Sequence, residues 1–191
     1  MNSIEIFPWN NNFNTGLRTI DDQHKNLVRL LNQLASHGAL NSDVPTLNII
    51  FDELANYAKY HFHAEEAIWH KYLPEDPREV MHKEEHDSFI STLHRLKNEE
   101  PTKSVDRMVE EILIFLTRWL VSHILQEDMY LAKVVLAIQS GITLGSAKKN
   151  AREQMRGLTG VLMDIILTMS EGVLINSLHL MRELTESKKV E

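Results

Sequence analysis

The feature that most constrains this chain is a helical rhythm of apolar residues that almost nothing interrupts. Seven glycines and five prolines are spread over 191 residues, and they fall between long periodic runs. The run "TIDDQHKNLVRLLNQLASHG" puts Ile20, Leu27, Leu30, Leu31 and Leu34 on one helical face, and Gly38 reads as a left-handed stop after it. Pro45 suits the first turn of a second helix, which reaches about Leu73 because Pro74 forbids continuation. A third helix opens with Asp76 as N-cap, Pro77 at the first position and Glu79 closing a capping box. A fourth begins near Ser104 and carries Met108, Ile112, Phe115, Leu116, Trp119 and Leu120 to about Ile138. No segment reads as a strand or hairpin.

Short connections between four amphipathic helices predict an all-α fold, an antiparallel four-helix bundle over residues 1–138. Another all-helical packing is the alternative that periodicity leaves open. Residues 139–191 form a C-terminal helical extension or connector. There, Leu158, Leu162, Ile165, Met169, Leu174, Leu178 and Met181 recur at helical spacing, with a slip around Gly172 that argues against a continuous coiled coil. This tail reads either as an extra helix pair docked on the bundle or as a connector that pairs with another chain, forming a homodimer.

Composition removes several function classes. A net charge of −7 leaves no basic surplus to neutralise phosphate backbones, so nucleic acid is not an expected partner. The absence of cysteine excludes disulfides, thiolate zinc sites and cysteine nucleophiles together. The start "MNSIEIFPWNNNF" has neither a basic flank nor a long apolar run, so no secretory signal is read there. The richest apolar stretches are short or broken by Arg118, His123 and Asp164, so no membrane span is expected and the expected setting is cytoplasmic.

Ten histidines then demand sorting. His61 and Glu65 stand four apart on the second helix, and His82 and His86 repeat that spacing on the third. His24 lies on the first helix, and His123 on the fourth with Glu127 and Asp128 nearby. Each pair alone is more often a solvated surface pair. Their coincidence on four helices, beside apolar stripes, is what points to a shared interior site, because buried imidazoles without partners are costly and a metal satisfies them. The donor types suit iron, copper, nickel or zinc, but so many donors exceed one tetrahedral zinc and point to two metals. By spacing, Glu127 shares a face with His123, whereas Asp128 lies roughly 140° away on an ideal helix.

The segments "FPWNNNFNTGLRTIDDQHKNLV", "YHFHAEE", "HKEEHDSF" and "WLVSHILQED", in this order, resemble the bacterial hemerythrin family over residues 7–136. The resemblance implies two non-haem iron ions with an oxo or hydroxo bridge, and dioxygen as ligand. Carried over residue by residue, it implies His82, His86 and His123 on one iron, and His24 and His61 on the other. Glu65 and Asp128 would bridge the pair. The choice of Asp128 over Glu127 thus comes from the family pattern. A π-type turn near residues 123–128 would reconcile it with helical geometry. His37, His63, His70, His94 and His179 match no ligand position, and His63, Glu66 and His70 read as ordinary surface. Phe62, Trp69 and Phe89 read as core.

Five imidazoles to two carboxylates is a poor donor set for high-valent iron, which favours reversible oxygen binding or one-electron redox over substrate oxidation. No acid–base constellation beyond the ligands suggests an enzyme. Similar domains occur alone and at the front of chemotaxis receptors and diguanylate cyclases. The helical tail therefore favours an oxygen or redox sensor, with an output domain outside this chain. A stand-alone carrier or store is the alternative, and a di-iron oxidase or peroxidase ranks last.

Overall fold

The computed structural model describes residues 7–39, 44–98 and 104–156, together with seven isolated positions between 172 and 187. Four long helices run as α1 (Arg18–Ala39), α2 (Val44–Tyr72), α3 (Pro77–Asn98) and α4 (Val105–His123). The fourth does not stop at His123. It passes through a π-helical segment, Ile124–Asp128, into α5 (Met129–Gln139), and a short α6 (Leu144–Met155) follows. Among the described residues there is no strand. α1 packs against α2 and α4, and α3 packs against the same two, giving the cyclic order of a four-helix bundle.

The ends of the helices follow their local chemistry. Ser104 caps α4, its hydroxyl accepting from the Arg107 N–H. At α3, the Asp76 carboxylate accepts from the Arg78 N–H at 3.1 Å. Glu79, expected to close a capping box on Asp76, instead accepts from the N–H of Glu75, one residue earlier, at 3.0 Å. The reason is the tight turn: Glu75 has a positive φ of 62°, and the Asp76 N–H is taken by the Leu73 carbonyl. α5 ends on Gly141, whose φ of 91° allows the Ile142 N–H to reach back to the Ala137 carbonyl at 3.0 Å.

One glycine behaves differently from its sequence reading. Gly38 lies inside α1 and does not end it. A Cβ there would sit 2.5 Å from Val109 Cγ1, so glycine at this position lets α1 and α4 approach closely.

The segment before α1 is tied down by Asn32, which accepts from the Phe7 N–H and donates to the Phe7 carbonyl, both at 2.8 Å. Asp21 accepts from the Thr15 and Gly16 N–H groups at 2.6 and 3.2 Å and fixes the entry to α1. These ties bring Trp9 to 6.4 Å from the His24 ring.

Two apolar regions result. The larger lies among α1–α4 and includes Leu30, Leu34, Phe51, Leu54, Phe62, Phe89, Leu113 and Leu116. The smaller joins Trp69 of α2 and Leu73 just after it to Tyr130, Leu131, Val134 and Val135 of α5, and is closed by Ala147 and Ala151 of α6. Trp69 and Leu131 are wholly buried there. The apolar tail positions read from sequence, Leu158 to Met181, lie outside the described residues.

Candidate metal centre

Between the two apolar regions lies a buried polar cluster supplied by α1, α2, α3, α4 and the π segment. His24, His61, Glu65, His82, His86, His123 and Asp128 are all at most 4% exposed. All seven residues singled out from sequence are brought together. Six of them form two sets of mutually close donor atoms, His24–His61–Glu65 and Glu65–His82–His86–His123, each within 4.8 Å.

The carboxylates divide their oxygens between the histidine sets. Glu65 Oε1 lies 3.5 Å from both His24 Nε2 and His61 Nε2. Its Oε2 lies 3.4 Å from His82 Nε2 and 3.4 Å from His86 Nε2. Asp128 repeats the division: Oδ2 is 3.2 Å from His24 Nε2, whereas Oδ1 is 3.2 Å from His123 Nε2 and 3.6 Å from His82 Nε2. A side chain whose two oxygens face two separate imidazole sets has the form of a bridge.

Asp128 reaches this position because of the π segment. The Met129 N–H bonds the Ile124 carbonyl, five residues back, and this widened turn rotates Asp128 inward. Glu127, which a regular helix would have aimed at the site, pairs instead with Arg78 at 3.2 Å on the outside.

The rings are oriented from behind. His61 Nδ1 donates to Gln23 Oε1, and His86 Nδ1 to Glu66 Oε1, each at 3.0 Å, while His123 Nδ1 lies 3.5 Å from Glu85 Oε2. Oxygen acceptors at Nδ1 keep the proton there and leave Nε2 as a lone pair facing inward, the form a metal requires. Phe62 stacks on His86 at 3.8 Å and Trp119 on His123 at 4.1 Å, which fixes the ring planes. Glu66 is therefore not ordinary surface, as its sequence context suggested. Gln23, Glu66 and Glu85 carried no sequence signal, because an outer partner is set by the neighbouring helix and not by spacing along its own.

The electrostatics are those of a site built to hold positive charge. For His24, burial alone would lower the pKa, but the carboxylates of Asp128 and Glu65 beside its Nε2 raise it to about 9. Burial likewise opposes protonation of His123, and the Asp128 charge with the Glu65 contact reverses this, to about 10. Burial prevails at His61, lowered to about 4. The Glu65 carboxyl, despite burial, is held well below the usual range by His61 and by the close imidazoles of His123, His24 and His82.

The unmet bonding capacity tests whether a metal fits. His24 Nε2, Glu65 Oε1 and both Asp128 oxygens are buried without a hydrogen-bond partner. Leaving such groups unpaired is costly, and cations at the centre would satisfy them together. Four nitrogen- or oxygen-bearing side chains on one side and three on the other, with Glu65 common to both, fit two metals better than one.

On the side of the larger apolar region lies a cavity of ≈ 20 Å³ among Leu27, Leu31, Ala58, Phe62, Phe89 and Leu120. That is room for about one small molecule of water size, in a mostly apolar lining that also includes Trp119. On the outer side of His123, a recess of ≈ 210 Å³ is lined by Glu85, Trp119, Ser122 and Gln126.

Comparison with known proteins agrees with this geometry. The family model "Hemerythrin HHE cation binding domain" matches residues 15–135. The bacteriohemerythrin of Clostridium acetobutylicum is 31% identical over 130 residues, covering 64% of this chain and 96% of that protein. The bacteriohemerythrin of Stenotrophomonas maltophilia is 30% identical over 137 residues, covering 70% of this chain and 84% of that protein. A hemerythrin-like protein of Naegleria gruberi is 30% identical over 123 residues, covering 64% and 88%.

Proposed function

This chain belongs to the hemerythrin family through its HHE cation binding domain, and from that premise we propose that it is an oxygen or redox sensor whose C-terminal helices pass on the state of the metal centre. Membership makes it a di-iron, dioxygen-binding protein. The finer assignment gives His82, His86 and His123 to one iron, His24 and His61 to the other, and Glu65 and Asp128 to both. An oxo or hydroxo bridge would complete the pair. When bound, the irons supply reversible one-electron redox chemistry and affinity for dioxygen.

The protein's own residues do the rest. Gln23, Glu66 and Glu85 keep Nε2 of three imidazoles turned inward. Phe62, Phe89 and the leucines of the ≈ 20 Å³ cavity exclude water and leave space for a small apolar ligand. The residues lining it, leucines, Ala58, Phe62, Phe89 and Trp119, include no titratable acid or base, which supports binding rather than catalysis.

The observation that carries the sensor reading is continuity. Asp128 sits at the end of the π segment, and the same helix runs on into α5, against which α6 docks through Ala147 and Ala151. A change in how Asp128 is held is thereby transmitted to the contact with α6, and from there to a second copy of the chain or to an output domain outside it. Among the described residues, no helix is long and apolar enough to cross a membrane, and a cytoplasmic location is part of the proposal.

Hydrogen exchange tests this reading. Amides of residues 144–155 should exchange at different rates in the oxidised and reduced protein. Identical protection would favour the second reading, a carrier or store, which is supported by the 96% coverage of the Clostridium protein by a match confined to 130 residues.

A further inference from the structure

A groove of ≈ 380 Å³ opens outside the metal centre, between the start of α3, the π segment and the end of α6. Its charged side chains are three guanidiniums, Arg78, Arg152 and Arg156, against one carboxylate, Glu127. In a chain of net charge −7 that is a local reversal of sign.

Each arginine is placed in a way that calls for an anion. Arg78 lies in the first turn of α3, the end of a helix where a cation is disfavoured. It is held there by Glu127 at 3.2 Å and by the face of the Tyr130 ring, 4.0 Å from its guanidinium carbon. Arg152 lies in the last turn of α6 and Arg156 directly follows the helix, four positions on, and among the described residues neither has a carboxylate partner. The end of a helix does favour cations, which accounts for one or both of them singly. It does not account for their convergence with Arg78 from another helix.

Tyr130 fixes Arg78 at the wall of the groove: it is 3% exposed, and its ring face carries the guanidinium. Forked guanidiniums match the paired oxygens of phosphate groups, and Met155 supplies an apolar wall.

We propose that this groove, formed by Arg78, Arg152, Arg156 and Tyr130, is a binding site for an oligophosphate, as the free ion or as the diphosphate of a nucleotide. Arg152 and Arg156 take the outer oxygens, and Arg78, seated on the Tyr130 ring, faces the ligand while keeping Glu127. The site is separate from the metal ligands and does not depend on the sensor reading.

The test is calorimetric titration of the full-length, iron-loaded protein with inorganic pyrophosphate and, separately, with adenosine diphosphate. Saturable binding is expected, weakened more than about a hundredfold by the double variant Arg152→Ala/Arg156→Ala. Lys149→Ala, an exposed cation of α6 outside the groove, should change it less than twofold. Tighter binding of adenosine diphosphate would assign the nucleotide form, and equal binding the free ion; both support the site. No binding of either ligand, or equal weakening by Lys149→Ala and by the double variant, would overturn it. Iron content and the ferric absorption spectrum should be unchanged in the double variant, which separates failure of this site from failure of the metal centre.

Discussion

The metal centre divides the bundle interior into two apolar regions packed in opposite ways. On the side of α1–α4, long leucines and phenylalanines meet around Ala58 and leave a cavity of ≈ 20 Å³. On the side of α5 and α6, the small residues Ala132, Ala147 and Ala151 allow helices to approach closely, and Trp69 and Leu73 fill the remaining space. The first region keeps room for a ligand. The second is tight, contacts the centre through the Trp69 ring at 5.9 Å from His82, and ends on α6. A close-packed region transmits displacement, whereas a region with a void absorbs it.

Emptying the centre should have the largest effect, because it withdraws the ions that both regions pack around. The metal-free protein should unfold at a markedly lower temperature, with a distinctive pH dependence. The raised pKa values of His24 and His123, about 9 and about 10, contribute stability that is complete below the ordinary value of 6.5 and lost as pH rises through the folded values. His61, lowered to about 4, favours the fold only while neutral, so its contribution is lost as pH falls below 6.5. Glu65 and Asp128, both lowered, also withdraw stability at acid pH. Thermal melts of the metal-free form should therefore peak near pH 6.5, and iron uptake at pH 7 should release protons from His24 and His123. A flat pH profile would contradict this electrostatic account.

Within the tight region, Trp69→Ala should cost about 3–5 kcal/mol in denaturant unfolding, since it removes a wholly buried ring that touches both α5 and the centre. The sharpest contrast uses one substitution in both places. Ala151→Val should destabilise by about 1–3 kcal/mol because no space receives the added methyls. Ala58→Val, facing the cavity, should cost less than about 1 kcal/mol and slow dioxygen binding in stopped-flow measurements. Equal costs would remove the distinction between the regions. The smallest effect is expected for Lys25→Ala, which breaks an exposed ion pair with Asp22 on the outside of α1. About 0.2–1 kcal/mol is expected there, decreasing at high salt.

The fold was legible where local chemistry decides it. Ser104, Asp76 and Pro77 announce helix starts, and apolar spacing identifies the buried faces. Gly38 was not, because a glycine that ends a helix and one that admits Val109 look alike along the chain. The five histidines and Glu65 could be found by spacing, since each lies on the inward face of a regular helix. Asp128 could not, because a π turn changes which residue faces inward, and only the family pattern favoured it over Glu127. Glu66 and Glu85 escaped because their roles depend on where another helix places a ring nitrogen.

The central claim is that Glu65 and Asp128 lie between two metal positions, and metal analysis of the purified protein tests it most directly. The account predicts two irons per chain, a ferric absorption spectrum that bleaches on reduction and changes with dioxygen, and loss of iron in His61→Ala but not in His63→Ala. A protein that holds a single metal, or zinc alone, would contradict it.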